Sequence, residues 1–167
     1  SFFYESQRKT FICKFFCLVS TLGRMSYIYH SGYGYSTRLC KSVASWFINK
    51  YYPRHKITLD IIHRGMKREN CHGYCDTTGG WFRPRNFEIE IDTHLDKETY
   101  TKTLLHEMFH MKQFIDGTLK TKRSKMYYKN ELVDNYDYED QPHEIAAREA
   151  EETLYKEYHE ERLESLC

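Results

Sequence analysis

A short motif in the middle of this 167-residue chain, His106-Glu107-Met108-Phe109-His110, restricts the possible folds because it makes chemical sense only on a helix. Residues four apart on a helix lie one turn apart on the same side, so the two imidazoles can point at one metal ion. Glu107 could reach a water molecule on that ion without occupying a coordination position. About 0.05 chance matches to this pattern are expected in such a chain, so the surrounding sequence must also support a metal site.

The helix that carries the motif has recognisable ends. Thr93, followed three residues later by Asp96, resembles a capping box with Asp in place of Glu, and Gly117 supplies a stop signal. We therefore predict a helix of about 20 residues. Its apolar side chains predict one buried side: Leu104, Leu105, Met108, Met111 and Ile115.

Other periodic segments predict the rest of the fold. A helix capped by Ser36 should run to Tyr52, because its apolar residues recur at helical spacing. Alternating side chains predict strands at residues 56–63, 72–77 and 87–92, the last two as a hairpin-like pair. A last helix is expected from Pro142 to Leu163. These elements predict an α+β fold.

Two tyrosine-rich segments lack a clear period. The segment Tyr27 to Tyr35 is interpreted as a loop packed on the domain, and residues 118–141 as a long loop with a short element at residues 126–132. Residues 1–24 are interpreted as a doubtful leader or fragment end, and residues 25–167 as a single domain. The apolar stretch at residues 11–22 is too short for a membrane span, and we expect a cytoplasmic rather than a secreted protein.

The net charge of +1 conceals an asymmetry. Residues 1–138 carry 22 basic and 14 acidic side chains, whereas residues 139–167 carry 3 and 10. Because the basic residues are scattered in runs of no more than two, we expect a solvated surface, and nucleic-acid binding is a secondary hypothesis.

A catalytic zinc site needs a third protein ligand and an open fourth position. Glu144 is a candidate because it lies on the first turn of the last predicted helix, where Ala146 and Ala147 would allow close approach to the motif helix. A first-turn carboxylate also favours the helix dipole by about 0.3–1 kcal/mol without any metal. The other downstream candidates are Asp134, Asp137, Glu139, Asp140, His143 and Glu149.

His106-Glu107-x-x-His110 followed by Pro142-His-Glu144-Ile-Ala-Ala147 resembles the zincin metallopeptidases, in particular the gluzincin type. It is also similar to SprT-like and phage-type metallopeptidase domains, over approximately residues 37–160. The resemblance implies a minimal zincin domain in which an N-terminal helix and a small twisted sheet precede the motif helix and a C-terminal ligand-bearing helix.

The same resemblance implies that His106, His110 and Glu144 ligate one Zn²⁺ ion and that Glu107 is the general base. Two positions depart from the family pattern. Arg148 stands where many gluzincins have an acidic residue, and SprT-like proteins usually have a histidine as third ligand, which keeps His143 as an alternative.

The implied activity is zinc-dependent hydrolysis of peptide bonds in a protein or peptide substrate, and we expect a single-domain monomer. Zinc lowers the pKa of its bound water from 15.7 toward about 7, and Glu107 accepts the proton. The developing oxyanion needs a further donor. Tyr138, Tyr136 and His143 are the local candidates, and we expect Tyr138.

Three alternatives differ in chemistry. The chain could be a catalytically silent, metal-bearing module that binds protein or DNA. It could instead be a non-peptidase zinc amide hydrolase, since deformylases combine the same motif with an upstream cysteine such as Cys71. Cys71 and Cys75, with His72, could also hold a structural metal, although unpaired thiols are expected from their spacing.

Overall fold

The computed structural model describes residues 15–21 and 24–165 of the chain. Its fold is α+β, with two sheets, three helices and two short 3₁₀ turns. The strands are β1 (Phe15–Thr21), β2 (Arg24–Gly32), β3 (Thr58–Arg64), β4 (Gly73–Thr77), β5 (Asn86–Asp92), β6 (Leu119–Lys122), β7 (Lys125–Tyr128) and β8 (Glu131–Leu132). The helices are α1 (Thr37–Tyr51), α2 (Lys97–Asp116) and α3 (Pro142–Glu164).

The main sheet has five strands in the order β1-β2-β3-β5-β4. The three central strands β2, β3 and β5 are parallel, and the edge strands β1 and β4 are antiparallel to their neighbours. The β4–β5 pairing confirms the predicted hairpin-like pair. β1 lies within the segment interpreted as a doubtful leader, of which residues 1–14, 22 and 23 lie outside the described residues.

One face of the main sheet is buried against α1 and α2. Register aligns Ile28, Leu59 and Phe87 in one row across the central strands, and all three are fully or almost fully buried. The predicted period of two in the strands is therefore confirmed, with the polar residues between them half-buried on the other face.

The predicted ends of α1 and α2 are largely confirmed. Ser36 caps α1 by accepting a hydrogen bond from the backbone N–H of Leu39. Asp96, rather than Thr93, is the cap of α2, because its carboxylate accepts from the N–H groups of Glu98 and Thr99. Gly117 ends α2 in the left-handed conformation with φ +77°, and α2 has the predicted 20 residues.

The interpretation of residues 118–141 as a long loop is wrong, although β7 and β8 coincide with the short element expected at residues 126–132. Strands β6, β7 and β8 form a second, antiparallel sheet there, followed by 3₁₀ turns at Val133–Asn135 and Tyr138–Asp140. The two hairpin turns, Arg123-Ser124 and Lys129-Asn130, each have positive φ at both residues, as a two-residue type I′ turn requires. Neither pair contains the glycine that marks such turns in a sequence.

The interpretation of Tyr27 to Tyr35 as a loop is also wrong over most of its length. Residues up to Gly32 belong to β2, which pairs with both β1 and β3. Ile28 and His30 point into the buried face, whereas Tyr27 and Tyr29 are half-buried. The tyrosines obscured the alternation because an aromatic ring suits either face of a strand.

Helix α3 packs along α2 and closes the domain on that side. It begins at Pro142, as predicted, and its Ala147 is fully buried. In the part of the chain that the structure describes, no helix is at once long and apolar enough to cross a membrane.

Candidate metal centre

Helix α2 carries the first three site residues on one side. His106 and His110 lie one turn apart, and Glu107 and His110 are each only 6% exposed. The adjacent side of α2 carries apolar residues of the core, including Leu104 and Met111. The motif is therefore anchored in a rigid helix whose position the core determines.

Helix α3 supplies the fourth residue. Pro142 begins the helix, and Glu144, also 6% exposed, follows within its first turn. Because the fully buried Ala147 lies one turn further along, α3 can approach α2 closely enough for the Glu144 carboxylate to reach both histidines.

The three side chains converge through specific atoms. Nε2 of His106 lies 3.1 Å from Nε2 of His110 and 3.2 Å from Oε2 of Glu144. Nε2 of His110 lies 3.3 Å from Oε1 of Glu144. The ligand atoms of a tetrahedral zinc site are separated by about 3.3–3.4 Å, for metal–ligand distances of roughly 2.0–2.1 Å. His106, His110 and Glu144 thus form a group that could bind a metal ion.

The other nitrogen of each imidazole faces a hydrogen-bond acceptor. Nδ1 of His106 lies 3.2 Å from Oε2 of Glu151, and Nδ1 of His110 lies 2.9 Å from Oε1 of Gln113. Gln113 is itself oriented by donating from Nε2 to the carbonyl of His143 at 3.1 Å. With a metal ion bound, protons on both Nδ1 atoms would direct the Nε2 lone pairs toward the centre of the group, as in metal sites with oriented histidines.

The charges of this group shift the pKa values of its members. Burial alone would lower the pKa of His106, but hydrogen bonds with Glu144 and Glu151 outweigh it and raise the pKa to about 9. Burial would raise the pKa of Glu144, yet His106 and His110 hold it well below its usual range. Burial raises the pKa of Glu107 to about 7 against the opposing influence of the two histidines. Glu144 consequently stays ionised at neutral pH.

Glu107 lies against the edge strand of the main sheet. A Cβ atom at Gly73 would come within 3.0 Å of both Cγ and Oε1 of Glu107. A side chain at residue 73 would require the Glu107 carboxyl to shift by a few tenths of an ångström. The close approach of Glu107 therefore explains why a glycine occupies position 73.

The group opens into a cleft between β4, α2, α3 and the second sheet. Two adjoining cavities of about 330 and 180 Å³ share Gly73, Glu107, Tyr138 and Glu144 in their walls. Tyr138 is 63% exposed, and its pKa is raised to about 12 by partial burial and by the charges of Glu144 and Glu107. The predicted position of Tyr138 beside the site is thus observed, and its hydroxyl is protonated at neutral pH.

The alternative ligands lie differently. Nε2 of His143 is 3.5 Å from Oε1 of Glu144, but the atoms that converge belong to Glu144 and not to His143. Cys71 lines the cleft without joining the group, and neither Cys71 nor Cys75 forms a disulfide bond among the described residues. Arg148 also lines the cleft and donates to the backbone carbonyl of Glu139.

Two contacts of the candidate site escaped the sequence analysis. Glu151 lies seven residues after Glu144, hence two turns further on the same side of α3, and Gln113 lies three residues after His110 on α2. Helical spacing from the ligands could have identified both. Only the packing of α3 on α2 shows that Glu151 contacts His106.

Comparison of the chain with protein-family models, with curated proteins and with solved structures gave no match. The functional conclusion must accordingly come from the chemistry of the site.

Proposed function

We propose that this protein is a zinc-dependent peptidase of the zincin type. The observation that carries the proposal is the triangle of ligand atoms from His106, His110 and Glu144, with edges of 3.1–3.3 Å. Two imidazole nitrogens and a carboxylate at such distances need a proton or a cation among them to offset their repulsion. Three protein ligands with one side open to a cleft are typical of a catalytic zinc site.

The donor set narrows the choice of metal. Two histidines and one carboxylate suit Zn²⁺ and also suit the Fe²⁺ of non-haem oxygenases. Glu107 favours zinc and hydrolysis, because a buried carboxylate next to the first ligand has the position of a general base. Metal analysis distinguishes the two ions directly.

Each residue of the site would have a separate role in the reaction. When bound, zinc would supply a Lewis acid that polarises the carbonyl group and lowers the pKa of water toward about 7. Glu107 would accept a proton from the attacking water at its carboxylate and then deliver that proton to the departing amine. Tyr138, which is protonated at neutral pH and lines the same cleft, would donate a hydrogen bond to the oxyanion.

The edge of the main sheet suggests how a peptide would bind. Among the described strands, β4 pairs only with β5, and its residues Gly73, Tyr74 and Cys75 line the cleft. An extended peptide can add to such an edge through main-chain hydrogen bonds. This placement would bring a peptide carbonyl beside Glu107, so the proposed substrate class is an extended or unfolded polypeptide segment.

The experiment compares Glu107→Gln with the parent on a peptide library of broad sequence, after both proteins are loaded with zinc. Losing the general base should reduce cleavage by about 10²–10⁴-fold while zinc content remains near one ion per chain. Glu149→Gln is the matched control, because Glu149 is an exposed glutamate of α3 and should cleave like the parent.

Each result has a defined meaning. Cleavage by Glu107→Gln at the parental rate would refute the assigned mechanism. Bound zinc without any cleavage by the parent would favour the silent metal-bearing module over a peptidase. Purification with iron instead of zinc would refute the choice of metal.

A further inference from the structure

A second cleft lies on the small sheet, apart from the metal group. Its volume is about 350 Å³, and we call it the cationic cleft after its wall, which is formed by Trp81, Lys120, Lys122, Arg123, Tyr127 and Asn130. Trp81 comes from the connection between β4 and β5, whereas the other residues belong to β6, β7 and their turns. None of these residues lines the metal-site cavities described above.

The charge of this surface is uniformly positive. Residues 117–130 contain five basic side chains and no acidic one. Among the residues that the structure describes, no carboxylate forms an ion pair with Lys120, Lys122 or Arg123. Arg83 extends the patch, since its side chain lies against Gly117 at the start of the small sheet. The solvated-surface interpretation of the sequence did not anticipate this grouping.

Aromatic side chains stand beside these cations. Trp81 and Phe82 are 58% and 63% exposed, which is unusual for two large apolar residues in succession. Nζ of Lys122 lies 5.8 Å from the centre of the Trp81 ring, and the Arg83 guanidinium lies 5.6 Å from that of Phe82. The rings are thus presented at the surface with cations held beside them.

Two of the basic residues in the small sheet have an unfavourable backbone conformation. Arg123 and Lys129 have φ of +52° and +49° in the two hairpin turns. The left-handed conformation is unfavourable for an ordinary residue, whereas glycine adopts it without strain. Long basic side chains nevertheless occupy both turns and project from the tips of the sheet.

We propose that the cationic cleft binds single-stranded nucleic acid. Surfaces that bind single strands combine a positive groove for the phosphates with exposed aromatic rings on which bases stack. Lys120, Lys122, Arg123 and Arg83 supply the positive charges, and Trp81 supplies the stacking surface. A duplex keeps its bases stacked inside and offers no free base to Trp81, and an acidic polypeptide would use only the cations.

The test measures fluorescence anisotropy of a labelled oligo(dT) of about 16 nucleotides titrated with the full-length chain. Four phosphate contacts predict that the logarithm of the binding constant falls with the logarithm of salt concentration with a slope of about −3. The double variant Lys122→Gln/Arg123→Gln should reduce the magnitude of that slope by about 1.4 and weaken binding.

Stacking is tested separately. Trp81→Ala should weaken oligo(dT) binding roughly 5- to 100-fold with an unchanged salt slope, whereas Trp81→Phe should restore most of the affinity. Because Trp81 is largely exposed, both variants should keep the thermal stability of the parent, which circular dichroism verifies.

The charge-matched control is Lys67→Gln/Arg68→Gln. These two exposed cations follow the carboxyl end of β3, and Arg83 precedes the amino end of the parallel strand β5, so the two sites lie at opposite ends of the sheet. The control should bind oligo(dT) like the parent. Equal losses in the control and in Lys122→Gln/Arg123→Gln would refute a localised site. Parental affinity in Trp81→Ala, or equal affinity for duplex DNA or poly-glutamate, would refute single-strand recognition.

Discussion

Removal of the Glu151 carboxylate tests whether the contact to His106 orients a metal ligand. Oε2 of Glu151 lies 3.2 Å from Nδ1 of His106, and no other acidic side chain of the described residues is recorded at that nitrogen. Glu151→Ala would leave Nδ1 of His106 to solvent and release the ring from its fixed orientation. Glu151→Gln would keep an oxygen acceptor while removing the charge.

The size of the effect follows from the exposure of the contact. Loss of a group that orients a metal-bound histidine costs about 10–100-fold in metal affinity. The Glu151 side chain is 27% exposed, so water screens the interaction and partly replaces it. We therefore expect about a tenfold loss of zinc affinity in Glu151→Ala, equivalent to about 1.4 kcal/mol, and a smaller loss in Glu151→Gln.

Competition between zinc and a proton for His106 has the opposite effect on zinc affinity. Glu151 helps to raise the pKa of His106 to about 9, so its removal makes His106 easier to deprotonate at neutral pH. The loss of affinity should consequently be larger at about pH 9.5 than at about pH 7, because only at the higher pH is His106 already neutral in the parent.

Competition with a chromophoric chelator measures zinc affinity at both pH values. The control is Glu152→Ala, whose side chain is 70% exposed and pairs with Lys102 rather than with the site. Equal affinities for Glu151→Ala and Glu152→Ala at both pH values would show that the Glu151 contact does not orient His106.

Three further changes test other parts of the structure. Gly73→Ala should displace Glu107, because the new Cβ atom would lie 3.0 Å from its carboxyl group; peptide cleavage should fall while zinc content stays unchanged. Gly117→Ala should lower the free energy of unfolding by about 1–2 kcal/mol, measured in urea, since φ is +77° there. Burial lowers the pKa of His63 to about 4 in the folded chain, so unfolding takes up a proton between about pH 6.5 and pH 4 and stability should fall as pH falls through that window. His63→Gln should remove up to about 3 kcal/mol of this pH dependence, and unchanged pH dependence would contradict the assignment.

The predicted elements that were confirmed have local signals. The cap at Ser36, the stop at Gly117 and the apolar residues at helical spacing predict α1 and α2. The strands β3 and β5 show an alternating pattern because one of their faces is buried against the helices. Each of these signals depends only on residues within one element, so it can be read directly from the sequence.

The elements that were missed depend on other parts of the chain. β2 is stabilised as a strand by pairing on both sides, and its tyrosines fit the half-buried face as well as a loop. The hairpins of the small sheet turn at Arg123-Ser124 and Lys129-Asn130, which lack the glycine signal that would have predicted them. Their formation depends on strand pairing, which overrides the local preference of the turn residues.

The sequence by itself determined the helix that carries His106, Glu107 and His110, together with the helix start that makes Glu144 available. Four-residue spacing is a property of one helix, so no tertiary information is needed to align two imidazoles. Only the packing of α3 on α2 decided that Glu144 meets them within 3.2–3.3 Å and that Glu151 contacts His106. Likewise, Trp81 meets Lys122 only because two hairpins distant in sequence lie side by side, a contact that no local pattern records.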